Sequence, residues 1–213
     1  MLLGCCARMK VSHLPLHEFL FSFLSILILK MNVLIWNCWG VLNSYFQNIV
    51  NDMVHSHYLA ITIITETKTS GSWAKEITYR LHFDGAIHAN NIGFTGGLWV
   101  LWDSNQVEVF ELSSIEQEIH SMVMDLSSNS SWLLFAIYAS PKYVERRFLW
   151  DNLSIVAGLH SLSWVIAGDF NEVLLGEDKY GGRPMNVNRV LNFQECLNNC
   201  GMIDLGFSCH RFT

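Results

Sequence analysis

Apolar and polar positions fall into blocks along this chain, and from Met31 onward the blocks switch between two periods. Asn32-Val-Leu-Ile-Trp36 and Leu59-Ala-Ile-Thr-Ile-Ile-Thr65 are short continuous apolar runs, the pattern of strands covered on both faces. Between them Tyr45, Phe46, Ile49, Val50, Met53 and Val54 recur at helical spacing, which predicts an amphipathic helix. A short helix follows around residues 72–81, with Trp73 and Ile77 on one face. The centre reads as a β meander, in which residues 96–102, 107–112, 119–126 and 132–138 are separated by polar turns. Phe148, Leu149, Leu153 and Val156 mark a helix from about Tyr143 to Leu159. A strand at 163–167, a polar loop at 175–186 and a last helix bearing Val190, Phe193, Leu197 and Cys200 complete the pattern. No internal repeat or low-complexity segment interrupts it. Strands and helices mixed in this way predict a layered α/β domain with helices outside the sheets.

Residues 1–30 follow neither period. Phe19–Leu29 is an almost uninterrupted apolar run flanked by Lys10 and Lys30. It is shorter than the roughly 20 residues of a membrane-spanning helix, and no small-x-small cleavage site precedes Lys30-Met31. We read 1–30 as an appended hydrophobic leader of open role and 31–213 as the folded domain. A membrane or secretory role is the minority reading, and a nuclear or cytoplasmic location is favoured. Two sequons, at Asn129 and Asn152, matter only if the chain is secreted.

A chain of 213 residues fits one domain with a substantial core. Hydrophobic residues make up 51% and charged residues 15%, against a usual charged share of about 25%. The net charge of −6 argues against a generally basic nucleic-acid binder. The cations are uneven, however: Lys142, Arg146, Arg147, Lys179, Arg183, Arg189 and Arg211 all lie after Tyr138, so a local phosphate-facing surface stays open. Cys196, Cys200, Cys209 and His210 lack zinc-ligand spacing, and free thiols in a reducing compartment are the better reading of the six cysteines.

Four polar positions share one setting at the end of an apolar strand. Asn37 follows Val33–Trp36, Glu66 follows Ile61–Thr65, and Tyr138 ends Leu133–Ile137 ahead of Ala139-Ser-Pro141. Asp169 and Asn171 follow Trp164-Val-Ile-Ala-Gly168, where an apolar strand runs into a glycine turn. Alone, each has an ordinary explanation as a turn residue, a solvated rim charge, an edge aromatic or an Asx turn. Strand ends are also where α/β proteins place their chemistry.

Taken in order, Asn-x-x-Gly, Glu-Thr, Tyr-x-Ser-Pro and Gly-Asp-x-Asn resemble the endonuclease/exonuclease/phosphatase superfamily from about Asn32 to the end. Gly96-Gly-Leu-Trp-Val-Leu-Trp-Asp103, Arg147-Phe-Leu-Trp150, Gly176–Gly182 and Ile203-Asp-Leu-Gly-Phe…Arg-Phe-Thr213 are similar to its plant LINE-type retrotransposon branch. The resemblance implies two facing mixed β-sheets in a sandwich flanked by helices, DNase I-like, and incomplete at the C-terminal end. It implies Mg²⁺-dependent hydrolysis of DNA phosphodiesters, with Mn²⁺ as a substitute. Glu66 would be the principal metal ligand, assisted by Asn37, because a hard cation favours carboxylate and amide oxygen. Asp169 would orient or deprotonate the attacking water. Asn37 and Asn171 would hold the phosphate and the Asp169 side chain, and the Tyr138 hydroxyl would donate to the phosphate. Lys142, Arg146 and Arg147 would either touch the DNA backbone or form a solvated helix face.

Two departures bear on activity. Cys38-Trp39 replaces the commoner small or basic pair after Asn37. Relatives also carry a Ser-x-Ile/Leu-Asp segment and a final Asp-His pair that this sequence lacks. His210 has no preceding Asp, while His55 and His57, two apart on a helix, face different ways. The expectation is therefore a retrotransposon endonuclease domain, truncated and with little activity alone. The alternative is an inactive remnant that at most binds nucleic acid, and a third reading is a lipid or small-molecule phosphodiesterase. DNA is the expected partner, no protein partner is inferable, and a membrane is not expected.

Overall fold

Each sheet of this protein contains one parallel strand pair, and those two pairs set the architecture. The computed structural model describes residues 8–12, 31–89, 96–172, 174 and 186–204. The smaller sheet joins Asn32–Asn37 (β2), Leu59–Thr65 (β3), Gly85–Ala89 (β4) and Leu98–Trp102 (β5) in the order β2-β3-β5-β4. β2 and β3 are parallel, and the helix Phe46–His57 (α1) makes the crossover between them. A second helix, Gly71–Tyr79 (α2), links β3 to β4.

The larger sheet contains Arg8–Ser12 (β1), Val107–Ile115 (β6), Glu118–Asp125 (β7), Ser130–Tyr138 (β8), Trp164–Asp169 (β9) and Met202–Asp204 (β10). Its order is β10-β1-β9-β8-β7-β6. Here β8 and β9 are the parallel pair, joined by the helix Tyr143–Ala157 (α3), and Val187–Asn199 (α4) follows β9. Both sheets are mixed and helices flank them, as the sequence led us to expect.

The apolar runs sort by layer. All seven residues of β3 are buried, because its two faces meet different partners. Ile61 and Ile63 join Val100, Ala136 and Ala167 in the core between the sheets. Ile64 packs with Phe46, Val50, Ala74 and Trp99 beneath α1 and α2. On the far side Leu149, Trp150, Leu153, Phe193 and Leu197 of α3 and α4 cover Phe135, Trp164 and Ile166. Burying side chains of this size contributes roughly 1.5–3 kcal/mol each.

Besides the three-residue β10, which no apolar run marks, three elements differ from the sequence reading. The segment 96–102 is not part of the meander: β5 pairs with β3 and β4 in the smaller sheet, and only β6, β7 and β8 form a meander. Adjacency in sequence hid the switch of sheets, which occurs in the turn at Asp103–Gln106, where Gln106 donates to the Asp103 carbonyl. β4 escaped the reading because Gly85-Ala-Ile-His-Ala89 has only one large apolar residue. The third is β1, which belongs to the segment read as a leader. It runs antiparallel between β9 and β10, with Met9 opposite Ala167 and Val11 opposite both Val165 and Ile203. Strand pairing in the larger sheet therefore extends upstream of Met31. Phe19–Leu29 lies outside the described residues; among those residues no helix is long and apolar enough to cross a membrane.

Candidate active site

Because β2 and β3 run parallel, their carboxyl ends share one edge, where Asn37 pairs with Thr65 and Glu66 comes next. The parallel β8 and β9 do the same in the other sheet, setting Tyr138 beside Asp169. β9 contacts both β2 and β3 across the sandwich, so the two edges meet. Asn37, Glu66, Tyr138 and Asp169 gather there, although Asn37 and Asp169 lie 132 positions apart.

Close backbone approaches require glycine at two points in this region. A Cβ on Gly168 (φ +145°) would stand 1.9 Å from the Ile137 carbonyl oxygen, so only glycine lets β9 close on β8 just before Asp169. A Cβ on Gly97 (φ +96°) would lie 2.2 Å from the Thr67 hydroxyl, in the turn whose carbonyls receive the Thr67 and Lys68 amides. The backbone is also strained. Trp39, Glu66, Lys68 and Asn171 have φ of 55°, 56°, 54° and 46°, and elsewhere among the described residues only Tyr58 and Asn129 are non-glycine with positive φ. Such residues cost on the order of 1–3 kcal/mol each and concentrate where a site demands them.

One amide organises the polar cluster. Asn37 Nδ2 donates to Glu66 Oε1 at 3.1 Å and to Asp169 Oδ2 at 3.0 Å, while its Oδ1 accepts from the Trp39 amide at 3.3 Å. Those contacts fix the orientation of a side chain that is only 3% exposed. The second Asp169 oxygen accepts from the Asn171 backbone amide at 2.9 Å. The Asn171 side chain does something other than expected: its Nδ2 donates to the Ala139 carbonyl at 2.8 Å. Asn171 thus ties the β9 turn to the end of β8, and the backbone, not the side chain, holds Asp169. Between Asp169 and Asn171, Phe170 anchors the turn in the helix layer, 5.3 Å from Phe193 and 6.3 Å from Trp150.

The electrostatics follow from burial and two neighbouring acids. Burial pushes the Asp169 carboxyl above its ordinary value, and Glu66 adds to the rise; the Asn171 amide, Asn37 and Arg146 oppose it. The Tyr138 phenol is raised as well, first by burial and then by Glu66 and Asp169, so it stays a proton donor. Burial likewise lifts the Cys38 thiol to about 12, with its sulfur directed at the Thr65 and Glu66 carbonyls. Lys68 Nζ is 3.9 Å from Glu66 Oε2.

The cations read as DNA contacts or a solvated face divide. Lys142 and Arg147 are exposed, and Lys142 pairs with Glu145 at 2.9 Å. Arg146 is 1% exposed and fits neither reading. It shares the helical phase of Leu149 and Leu153, so α3 turns it inward, where it donates to the Ser140 carbonyl and meets Glu172 at 3.1 Å. Arg189 of α4 reaches the same carboxylate at 3.0 Å, and the Tyr143 ring lies 5.9 Å and 5.5 Å from the two guanidinium carbons. Glu172 directly follows Asn171, so this triad, with Arg146 and Glu172 buried and Arg189 partly exposed, braces the turn that carries Asp169 from behind. Sequence reasoning missed it, although the three- and four-residue steps from Arg146 to Leu149 and Leu153 carry the signal.

No three His, Cys, Asp or Glu side chains gather into a metal-ligating group among the described residues. Cys196 and Cys200 are buried free thiols; Cys209, His210, Lys179, Arg183 and the 176–182 motif lie outside the described residues. His55 of α1 packs edge-on against His82, with ring centroids 4.7 Å apart.

The sequence matches no family model and no curated protein. Solved structures do share the fold. The endonuclease domain of TRAS1, a telomere-specific non-LTR retrotransposon, superposes with a TM-score of 0.62 at 13% identity, covering 83% of this chain and 75% of that one. The AP endonuclease of Leishmania major gives 0.59 at 13%, over 79% and 66%. The Neisseria 3′ phosphatase NExo, solved with a product DNA hairpin, gives 0.56 at 15%, over 79% and 71%. The chain thus spans just under two thirds of the Leishmania enzyme. The architecture is the DNase I-like sandwich, and the three proteins named are two endonucleases and a 3′ phosphatase.

Proposed function

We propose that this chain carries the phosphodiester-hydrolysing centre of a DNA endonuclease of LINE-type retrotransposon character, dependent on Mg²⁺. The observation that carries the proposal is the pair of carboxylates, Glu66 and Asp169, bridged by the single Asn37 amide where both sheets end. The Gly-Asp-Phe-Asn turn and the likeness to the TRAS1 domain support the retrotransposon reading. DNA as substrate is supported by the product hairpin held by the Neisseria neighbour.

The donor chemistry suits a hard cation. The Glu66 side chain keeps 20% of its surface exposed, its second oxygen 3.9 Å from Lys68 Nζ, and Mg²⁺ commonly binds through one or two carboxylates while keeping several waters. Glu66 would hold the ion with help from Asn37, and Mn²⁺ would substitute. When bound, the cation polarises the phosphate and neutralises charge on the leaving oxygen. Asp169, aligned through both oxygens by Asn37 and the Asn171 amide, orients the attacking water and accepts its proton. Tyr138, kept protonated by burial and then by its acidic neighbours, donates to a phosphate oxygen. Arg146, Glu172 and Arg189 hold the turn that carries Asp169.

Nicking of supercoiled plasmid tests the proposal. The expected result is weak Mg²⁺-dependent nicking by the full chain that EDTA stops and that both Glu66→Ala and Asp169→Ala abolish. Nicking no greater than that of the two variants overturns hydrolysis and leaves the non-catalytic remnant.

A further inference from the structure

Trp39 stands at the mouth of this site with 72% of its surface exposed, an unusual position for an indole with so much apolar area to bury. Its backbone is held firmly. The amide donates to Asn37 Oδ1, the carbonyl accepts from Lys68 Nζ at 3.4 Å, and two residues on the Val41 amide bonds the Thr67 carbonyl. The residue holds a strained φ of 55° with most of its surface open to solvent. Lys68 stands 5.5 Å from the ring centroid and 3.9 Å from Glu66, so one cation borders both the indole and the carboxylate cluster.

A ring fixed at its root, open to solvent and edged by an ammonium suits a flat, π-rich partner joined to an anion. A nucleobase next to a bound phosphate has that chemistry: base–aromatic stacking is sequence-tolerant, and the lysine pairs with the backbone charge. Bases in an intact duplex are covered by their neighbours and reach an indole only after unstacking.

We propose that Trp39 stacks on an unpaired base flanking the phosphate held by Asn37, Glu66 and Asp169, with Lys68 on the adjoining backbone. The preferred substrate is then single-stranded or locally opened DNA. The proposal rests on the phosphodiesterase reading of the site, but binding tests it separately from hydrolysis.

The experiment measures fluorescence anisotropy of a short labelled single strand, and of the blunt duplex of the same sequence, with the full chain in EDTA. Wild type is expected to bind the single strand more tightly. Trp39→Ala should weaken that binding by about 5- to 100-fold while barely changing duplex binding, and Trp39→Phe should retain most of it. Equal binding by Trp39→Ala and wild type, an equal loss on both ligands, or no binding by wild type overturns the proposal. If the binding losses appear but plasmid nicking is absent, stacking stands and hydrolysis falls; nicking with unchanged Trp39→Ala binding gives the reverse.

Discussion

Asn37 Nδ2 lies 3.0 Å from Asp169 Oδ2, a bond between the smaller sheet and the larger one. The same nitrogen serves Glu66, so one neutral donor separates two carboxylates that would otherwise face each other. Asn37→Ala removes the donor and leaves both acceptors partly unsatisfied. The expected cost is about 1–3 kcal/mol in a urea titration. Nicking should fall by about 10²-fold or more, because Asp169 loses its alignment along with one preorganised donor.

The triad behind the turn makes a separate demand. Arg146 and Glu172 have side chains only 1% and 4% exposed, and Glu172 is the charge partner of Arg146 while also pairing with Arg189. Arg146→Met should destabilise the fold by about 3–5 kcal/mol, since Glu172 keeps only the half-exposed Arg189. Arg147→Ala, one residue on but facing solvent, should change stability by no more than about 0.5 kcal/mol. Similar urea midpoints for the two variants would show that the buried pair contributes nothing specific.

The contrast between Arg146 and Arg147 also shows what was legible in the sequence. Long apolar runs announce β2, β3, β8 and β9, and each ends in a polar position, so the strand-end residues Asn37, Glu66, Tyr138 and Asp169, which the fold brings together, are legible in the sequence. Those signals are local. What the sequence concealed was long-range: which sheet takes β5, which way Arg146 turns, and where the Asn171 amide points. β1 was hidden for a different reason. Arg8-Met-Lys-Val-Ser12 is a brief alternation beside the far stronger apolar run at 19–29, and only its partners β9 and β10 identify it as a strand.

That strand yields the third prediction. β1 is paired on both sides, so proline at Val11 removes a ladder hydrogen bond and inserts its ring where a neighbouring strand must lie. Val11→Pro should cost about 3 kcal/mol or more. A chain beginning at Met31 would lose the strand altogether and leave β9 with an open edge, a template for pairing with another molecule. Its expected behaviour is a lower melting temperature and concentration-dependent association in sedimentation. A Met31–Thr213 chain as stable and monomeric as the full chain would show that β1 contributes nothing to the sheet.

Asp169 gives the fourth, through pH. Burial raises its carboxyl pKa in the folded protein, while the unfolded chain keeps the ordinary value near about 3.9. The native state therefore holds the proton longer than the unfolded state does. This contribution to stability is fully present below the unfolded value and is lost as pH rises through the folded one. Asp169→Asn cannot titrate, so its stability relative to wild type should increase from pH 3.5 to pH 7, whatever its fixed cost in hydrogen bonds. Urea titrations in EDTA, which keep divalent cations out of the balance, measure that difference directly. A stability difference that stays flat across this range would mean that Asp169 titrates as it does in the unfolded chain.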